Sequence, residues 1–190
     1  MAKVTVSTFV TLDGVMQDPG GVGEFDRGGW QIQFFDDRAG AIAKEGLFAA
    51  DALLLGRITY EQFAAAWPEM TDEEGFADRM KSIPKFVAST TLSDARWNAT
   101  VIEGDVPSEV AKLKEEQHLL VMGSGQLVQT LREHGLVDEY EIWIHPIVLG
   151  AGKRLFQDGP DATRLRLTDT KSTGTGITVL AYAVEHDESS

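Results

Sequence analysis

Cysteine is absent from the 190-residue chain, which excludes a disulfide scaffold, thiolate metal sites and a cysteine nucleophile, and permits a reducing compartment. No apolar run approaches the roughly 18 residues of a membrane span, and no basic stretch leads into an apolar one at the N-terminus. Positive charge is scarce: 17 Lys plus Arg stand against 30 Asp plus Glu, for a formal charge of −13. Counterion release needs clustered Lys and Arg, so neither a nucleic-acid nor a membrane partner is expected. No repeat and no low-complexity linker divides the chain. What remains is ordinary globular composition, 43% hydrophobic and 25% charged, at a length that buries a core without staples. One cytoplasmic domain over residues 1–186, with an acidic tail at 187–190, is expected.

The β-branched run from Lys3 to Val10 reads as a strand. A Gly-rich loop follows from Asp13 to about Trp30, and its length after a core strand suggests a site loop. Ala39, Ile42, Ala43, Gly46, Leu47 and Ala50 share one helical face, so Asp36 to Ala50 reads as a helix. Leu53 to Leu55 and Leu119 to Met122 are short apolar runs that suit strands buried on both faces. The spacing of Thr59 and Gln62 predicts a capping box for a helix running to Trp67. Glu69 to Asp78 reads as a solvated excursion. Lys85 to Ser89 and Thr100 to Ile102 read as strands, a helix opens near Pro107, and another follows Gly125 and ends at Gly135. The tail is strand-like at Glu139 to Leu149, Leu165 to Thr173 and Ile177 to Glu185, with a hairpin at Gly174-Thr175-Gly176. Strands alternating with helices, then an all-strand tail, predict a mainly parallel sheet with antiparallel additions.

Two strand-to-helix junctions carry the chemistry. Gly56 and Arg57 open one helix; Gly123, Ser124 and Gly125 open another. Unpaired N–H groups and the positive dipole end make such junctions anion sites, and glycine admits close backbone approach. Arg57 adds a planar fork suited to phosphate, and Ser89-Thr90-Thr91 adds hydroxyls after a third strand. A phosphate-rich ligand across the strand ends is one reading; simple turn glycines are the other, and the spacing leaves both open. The second junction matches neither the dinucleotide fingerprint nor the P-loop.

The order of motifs extends well beyond these junctions. Thr11-Leu12-Asp13-Gly14-Val15-Met16, Leu55-Gly56-Arg57-Ile58-Thr59-Tyr60-Glu61 and Lys85-Phe86-Val87-Ala88-Ser89-Thr90-Thr91-Leu92 come first. Val121-Met122-Gly123-Ser124-Gly125-Gln126-Leu127, Gly135-Leu136-Val137-Asp138-Glu139 and the run from His145-Pro146 to Leu155-Phe156 follow. From Lys3 to Glu185 the chain resembles the dihydrofolate reductase superfamily, most closely the reductase domain of bacterial riboflavin biosynthesis and its stand-alone relatives. The resemblance implies an α/β fold with a mixed, mostly parallel sheet of about eight strands and helices on both faces.

It also implies NADPH as cofactor. Gly56, Arg57 and Thr59 are then expected at the pyrophosphate and adenosine phosphate, and Ser89, Thr90 and Thr91 near the 2′-phosphate. Gly123, Ser124, Gly125, Gln126 and Leu127 would cradle the other side of the pyrophosphate, with the backbone near Met16 facing the nicotinamide. The implied reaction is hydride transfer to a C=N bond or masked carbonyl of a pterin-like or ribosylaminouracil-type heterocycle. The loop from Asp13 to Gly29 would serve as a flap. Dihydrofolate reductases place a carboxylate on the first helix; the nearest candidates here are Asp36 and Asp37, one of which equally suits a helix N-cap. Asp13 is a second candidate, although Asp-Gly after a strand is first a turn.

Phe34 and Phe35, with Trp30, form an aromatic wall for a flat ring or a hydrophobic staple. Trp67 lines a pocket or packs the core. Lys153 and Arg154 suit a substrate phosphate or a solvated strand end. His145 reads as structural, and His118, His134 and His186 as surface residues. No metal-ligand spacing occurs, and a companion zinc deaminase would need Cys and His ligands that this chain lacks. The family implies a homodimer in contact through the late strands. A reductase of another small carbonyl or imine compound, and a non-catalytic nucleotide-binding protein, are the competing functions.

Overall fold

The apolar runs settle at the centre of one sheet. The computed structural model describes residues 2–23, 25–157 and 162–185; His186 and the tail at 187–190 lie outside the described residues. β1 (Lys3–Thr11) pairs in parallel with β5 (His118–Met122) on one side and β6 (Glu139–His145) on the other. β2 (Ala52–Gly56) lies beyond β5, then β3 (Lys85–Ala88) and β4 (Ala99–Val101), all parallel. β8 (Thr178–Glu185) and β7 (Arg164–Ser172) complete the opposite edge in antiparallel pairing. The order is β4-β3-β2-β5-β1-β6-β8-β7. β2 and β5 are buried over four consecutive residues because helices cover both faces, the reason their sequences run apolar rather than alternate.

On one face, α4 (Val106–Glu116) and α5 (Gly125–Glu133) set Val110, Leu127, Val128 and Leu131 against Val4, Val6, Leu54 and Val121. Full burial of each such side chain contributes about 1.5–3 kcal/mol. α5 ends where Gly135 (φ 62°) turns left-handed, and the Leu136 N–H closes onto Leu131 O at 2.9 Å. On the other face lie α1 (Asp37–Ala49), α2 (Arg57–Ala66) and α3 (Phe76–Ser82). Their Leu47, Tyr60 and Met80 pack on Leu53, Leu55 and Leu120, and Ala39 and Ile42 pack on Trp143 and Val179. All six parallel strands point the same way, so Thr11, Gly56, Ala88, Met122 and His145 end at one edge of the sheet.

Four expectations are corrected. The capping box at Thr59 does not form: β2 runs straight into α2, Gly56 is the N-cap, and Thr59 lies inside the first turn. The excursion expected at Glu69 to Asp78 runs into α3, whose first N–H groups, at Phe76 and Ala77, donate to the Asp72 carboxylate. β6 stops at His145 rather than Leu149, because Pro146 has no N–H to continue the ladder. His118, expected at the surface, is buried, its Nε2 2.9 Å from Thr5 Oγ1 and its Nδ1 3.0 Å from Ala49 O.

Candidate active site

β2 and β5 are neighbours, which places the two glycine junctions side by side at the strand-end edge. Each helix leaves its first-turn N–H groups, those of Arg57 to Thr59 and of Gly125 to Leu127, without a carbonyl partner in its own helix. Ser124 joins the junctions: its Oγ accepts from the Gly56 N–H at 2.7 Å and donates to Thr59 Oγ1 at 2.9 Å. To reach across, the backbone bends left-handed at Gly123 (φ 64°) and Ser124 (φ 62°) in succession, and such a φ is strained for serine.

Positive φ favours glycine at position 123, and close side-chain contacts favour it at positions 56 and 125. A Cβ on Gly56 would stand 2.9 Å from Ser124 Oγ, and one on Gly125 would stand 3.0 Å from Met16 Sδ. The structure therefore brings Met16, Gly56, Thr59, Gly123, Ser124 and Gly125 into one cluster. Arg57 is exposed and paired with Glu61 at 2.9 Å, an (i, i+4) surface bridge easily exchanged for another anion. Beyond β3, Ser89 Oγ accepts from the N–H groups of Thr91 and Leu92, while Thr90 and Thr91 are exposed.

The loop after β1 is tied to the segment after β6. Asp13 accepts from Thr11 Oγ1 at 2.6 Å and from the Gly150 N–H at 2.8 Å, and these bonds hold its carboxyl down at about 2. Arg154 Nε donates to Asp13 O, and the Lys153 N–H donates to Gln17 Oε1. Lys153 and Arg154 therefore sit against this loop rather than at a strand end. Asp36 caps α1 by accepting from the Ala39 N–H at 2.8 Å; that bond, with weaker ones from Thr175, keeps its carboxyl below the usual range. Asp37 is exposed at the first helical position.

Phe34 and Phe35 reach the strand-end edge, where Phe34 lies 6.1 Å from the His145 ring and Phe35 6.3 Å from Phe9. Trp67 instead packs between Phe63 and Phe76 beside α3. Two cavities, of about 570 Å³ along α2 and the Leu92–Trp97 segment and about 280 Å³ beside Arg132 and Tyr140, are not lined by the junction residues themselves, although the first reaches Glu61, the partner of Arg57. Among the described residues no cluster of His, Asp and Glu is arranged to hold a metal, and no helix is long and apolar enough to cross a membrane. His145 and Trp30 gained a shared environment that spacing along the chain does not reveal, since it depends on strands β1 and β6 being neighbours.

The chain is similar to known proteins in sequence and in fold. Over 185 residues, 95% of this chain and 94% of the relative, it is 30% identical to the uncharacterized protein YyaP of Bacillus subtilis. Among solved structures, a putative riboflavin biosynthesis protein from Shewanella sp. PV-4 superposes with a TM-score of 0.75 at 22% identity, covering 98% of this chain and 100% of that one. Schistosoma mansoni dihydrofolate reductase superposes with a TM-score of 0.59 at 15% identity over 96% of this chain and 98% of its own, which makes the fold dihydrofolate reductase-like. Residues 2–179 match the family described as the RibD C-terminal domain, and the chain belongs to that family.

Proposed function

We propose that this chain is an NADPH-dependent oxidoreductase that reduces a small pterin- or ribosylaminouracil-type heterocycle. The observation that carries the proposal is the Ser124 bridge, which holds two helix N-termini together around glycines closely approached by the Ser124 and Met16 side chains. Paired helix N-termini suit a pyrophosphate, with Gly56, Arg57 and Thr59 on one side and Gly123 to Leu127 on the other. Arg57 turns from Glu61 to the adenosine-side phosphate, and the hydroxyls of Thr90 and Thr91, beside the Ser89 turn, donate to the 2′-phosphate. The net charge of −13 opposes an anionic cofactor, so affinity comes from these local donors.

When bound, NADPH supplies the hydride. Met16 and the loop after β1 cover the reacting rings and exclude water, and Phe34 and Phe35 offer apolar faces to the substrate. Asp36 and Asp37, at the start of α1 beside Phe34 and Phe35, are the carboxylates nearest the proposed ring pocket and the candidates for handling the proton. The exposed Leu167 on the edge strand β7 supports a homodimer through the late strands, and the cysteine-free composition suits the cytoplasm.

NADPH titration should quench the fluorescence of the four tryptophans, and Arg57→Ala should weaken NADPH more than NADH. Failure of both nucleotides to bind would overturn the cofactor assignment. Anaerobic NADPH oxidation with dihydrofolate and with ribosylaminouracil phosphate then separates the substrate classes, and inactivity with both directs the search to other carbonyls or imines. Sedimentation showing only a monomer at micromolar concentration would reject the dimer.

A further inference from the structure

Among the described residues four buried side-chain polar atoms have no partner: Asp18 Oδ2, Gln31 Oε1, Trp97 Nε1 and His145 Nε2. Asp18 and Gln31 belong to the segment between β1 and α1, and His145 packs against Trp30 of the same segment. His145 is the most sequestered, with no exposed surface. Its Nδ1 lies 3.0 Å from Trp143 O and 3.3 Å from Val10 O. Both are acceptors, so Nδ1 carries the proton, and burial favours the neutral ring. Nε2 is therefore a bare lone pair. The rings of Phe9, Trp30 and Phe34 stand 5.3, 5.0 and 6.1 Å from it, centroid to centroid, and none offers it a donor. The Trp30 N–H is committed to Gln17 O at 2.9 Å.

A histidine retained only for its Nδ1 bond leaves the desolvation of Nε2 uncompensated, a cost of about 1–3 kcal/mol. A ligand donor would compensate it. Reaching Nε2 requires one neighbour to leave. Phe9 is fixed in β1, and Phe34 closes the short 3-10 turn before α1. Trp30 alone rides on the Gly-rich segment, directly after Gly29 (φ 74°), and its hydrogen bond is made within that same segment. The indole is itself a planar heterocycle of about the size of a bicyclic substrate ring. The same segment carries Met16, whose sulfur rests at the Gly125 position, so its movement also reaches the nucleotide junctions.

We propose that His145 is a substrate-recognition residue, whose Nε2 accepts a hydrogen bond from a ring N–H of a planar heterocycle that replaces the Trp30 indole beside Phe9 and Phe34. The proposal rests on the reductase reading and identifies the group that holds the substrate ring: a neutral imidazole rather than a carboxylate. It selects lactam-type N–H edges and discriminates against rings alkylated there, because a methyl group both removes the donor and leaves Nε2 desolvated.

Lumazine and its N,N-dimethyl analogue, which lacks the ring N–H groups, are the probes. Long-range proton–nitrogen NMR of ¹⁵N-labelled protein should show His145 neutral, with Nδ1 protonated and Nε2 bare. Saturating lumazine should shift the Nε2 resonance, and the dimethyl analogue should not. His145→Asn keeps a donor near the Nδ1 position and removes Nε2; it should weaken lumazine about tenfold or more while leaving near-ultraviolet circular dichroism unchanged. A protonated Nε2 in the free protein, an Nε2 signal unmoved by lumazine, or undiminished lumazine affinity in the variant would each overturn the proposal. The wild-type spectra decide even if the variant does not fold. NADPH titration of the same samples separates the two readings: intact NADPH binding with these negative results refutes the role of His145 alone, whereas absent NADPH binding refutes the cofactor site.

Discussion

Lys85 is a lysine inside the core, and its titration should govern stability in alkaline solution. Only 1% of it is exposed; its Nζ donates to Ile83 O at 2.7 Å and lies 4.1 Å from the centre of the Trp97 ring, and no carboxylate pairs with it among the described residues. Burial, with the charge of Arg79 adding to it, pushes the ammonium down to about 8 from the ordinary 10.5. The unfolded chain therefore binds the proton more tightly than the native state. For a cation with a depressed native value, stability rises with pH between the two values and is lost as pH falls through the lower one. Each unit of separation is worth about 1.4 kcal/mol, so the native state should gain about 2 to 3 kcal/mol from this group between pH 7 and pH 10. Lys85→Met keeps the apolar stem and removes the titration. Urea unfolding of both proteins, at unit steps across that range, isolates the effect, since every other titrating group is common to both. The difference between wild type and variant should move by that amount in favour of the wild type as pH rises. Parallel profiles would refute the assignment of a strongly depressed Lys85.

Ser124→Ala should cost about 1–3 kcal/mol in urea unfolding, because the Gly56 N–H loses its acceptor while the left-handed φ is still imposed on a side chain. Ser124→Gly, which relieves that φ, should cost less, and both should weaken NADPH in fluorescence titrations; equal stability of all three proteins would refute the bridge. Asp36→Ala should lower the thermal midpoint at pH 7 and change it little in strong acid, because the depressed carboxyl contributes above its ordinary pKa and ceases to as pH falls through its native value. The same loss at both pH values would exclude a charged cap. Gly152→Ala places a Cβ 2.6 Å from Val15 Cγ1 at φ 127° and should destabilise by about 2 kcal/mol or more. An unchanged urea midpoint would show that Val15 moves freely.

The parts of the fold legible in the sequence are those with a local cause. Leu53 to Leu55 and Leu119 to Val121 are apolar without alternation because helices cover both faces, and the stripe of α5 is complete in Leu127, Val128 and Leu131. The failures share a different cause. α3 is seven residues long and starts from a left-handed Gly75, so it has no apolar period to read; its start is set by the Asp72 carboxylate. Thr59 had the spacing of a cap, but the strand delivers the chain into helical geometry at Gly56. His118 looks like a surface residue until Thr5, 113 positions away, is placed beside it. The site divides in the same way. Its glycines were visible, whereas the adjacency of the two junctions is a property of sheet order, and the rings around His145 come from β1, the loop and the turn before α1.

The central place of β1 also constrains how the chain is born. Thr5 lies 113 positions before His118 and 134 before Glu139, its hydrogen-bond partners on the two flanking strands. At about 5–20 residues per second, roughly ten seconds pass between emergence of the first strand from a ribosome and that of its earliest neighbour. During that interval an apolar, β-branched segment has two open edges and no native partner, while β2 and β3, which pair with each other, have both appeared. β1 therefore stays open on both edges until β5 and then β6 have been made, after β2 and β3 can already pair. The chain's excess of negative charge, a hindrance to an anionic cofactor, then keeps nascent copies apart while that strand waits.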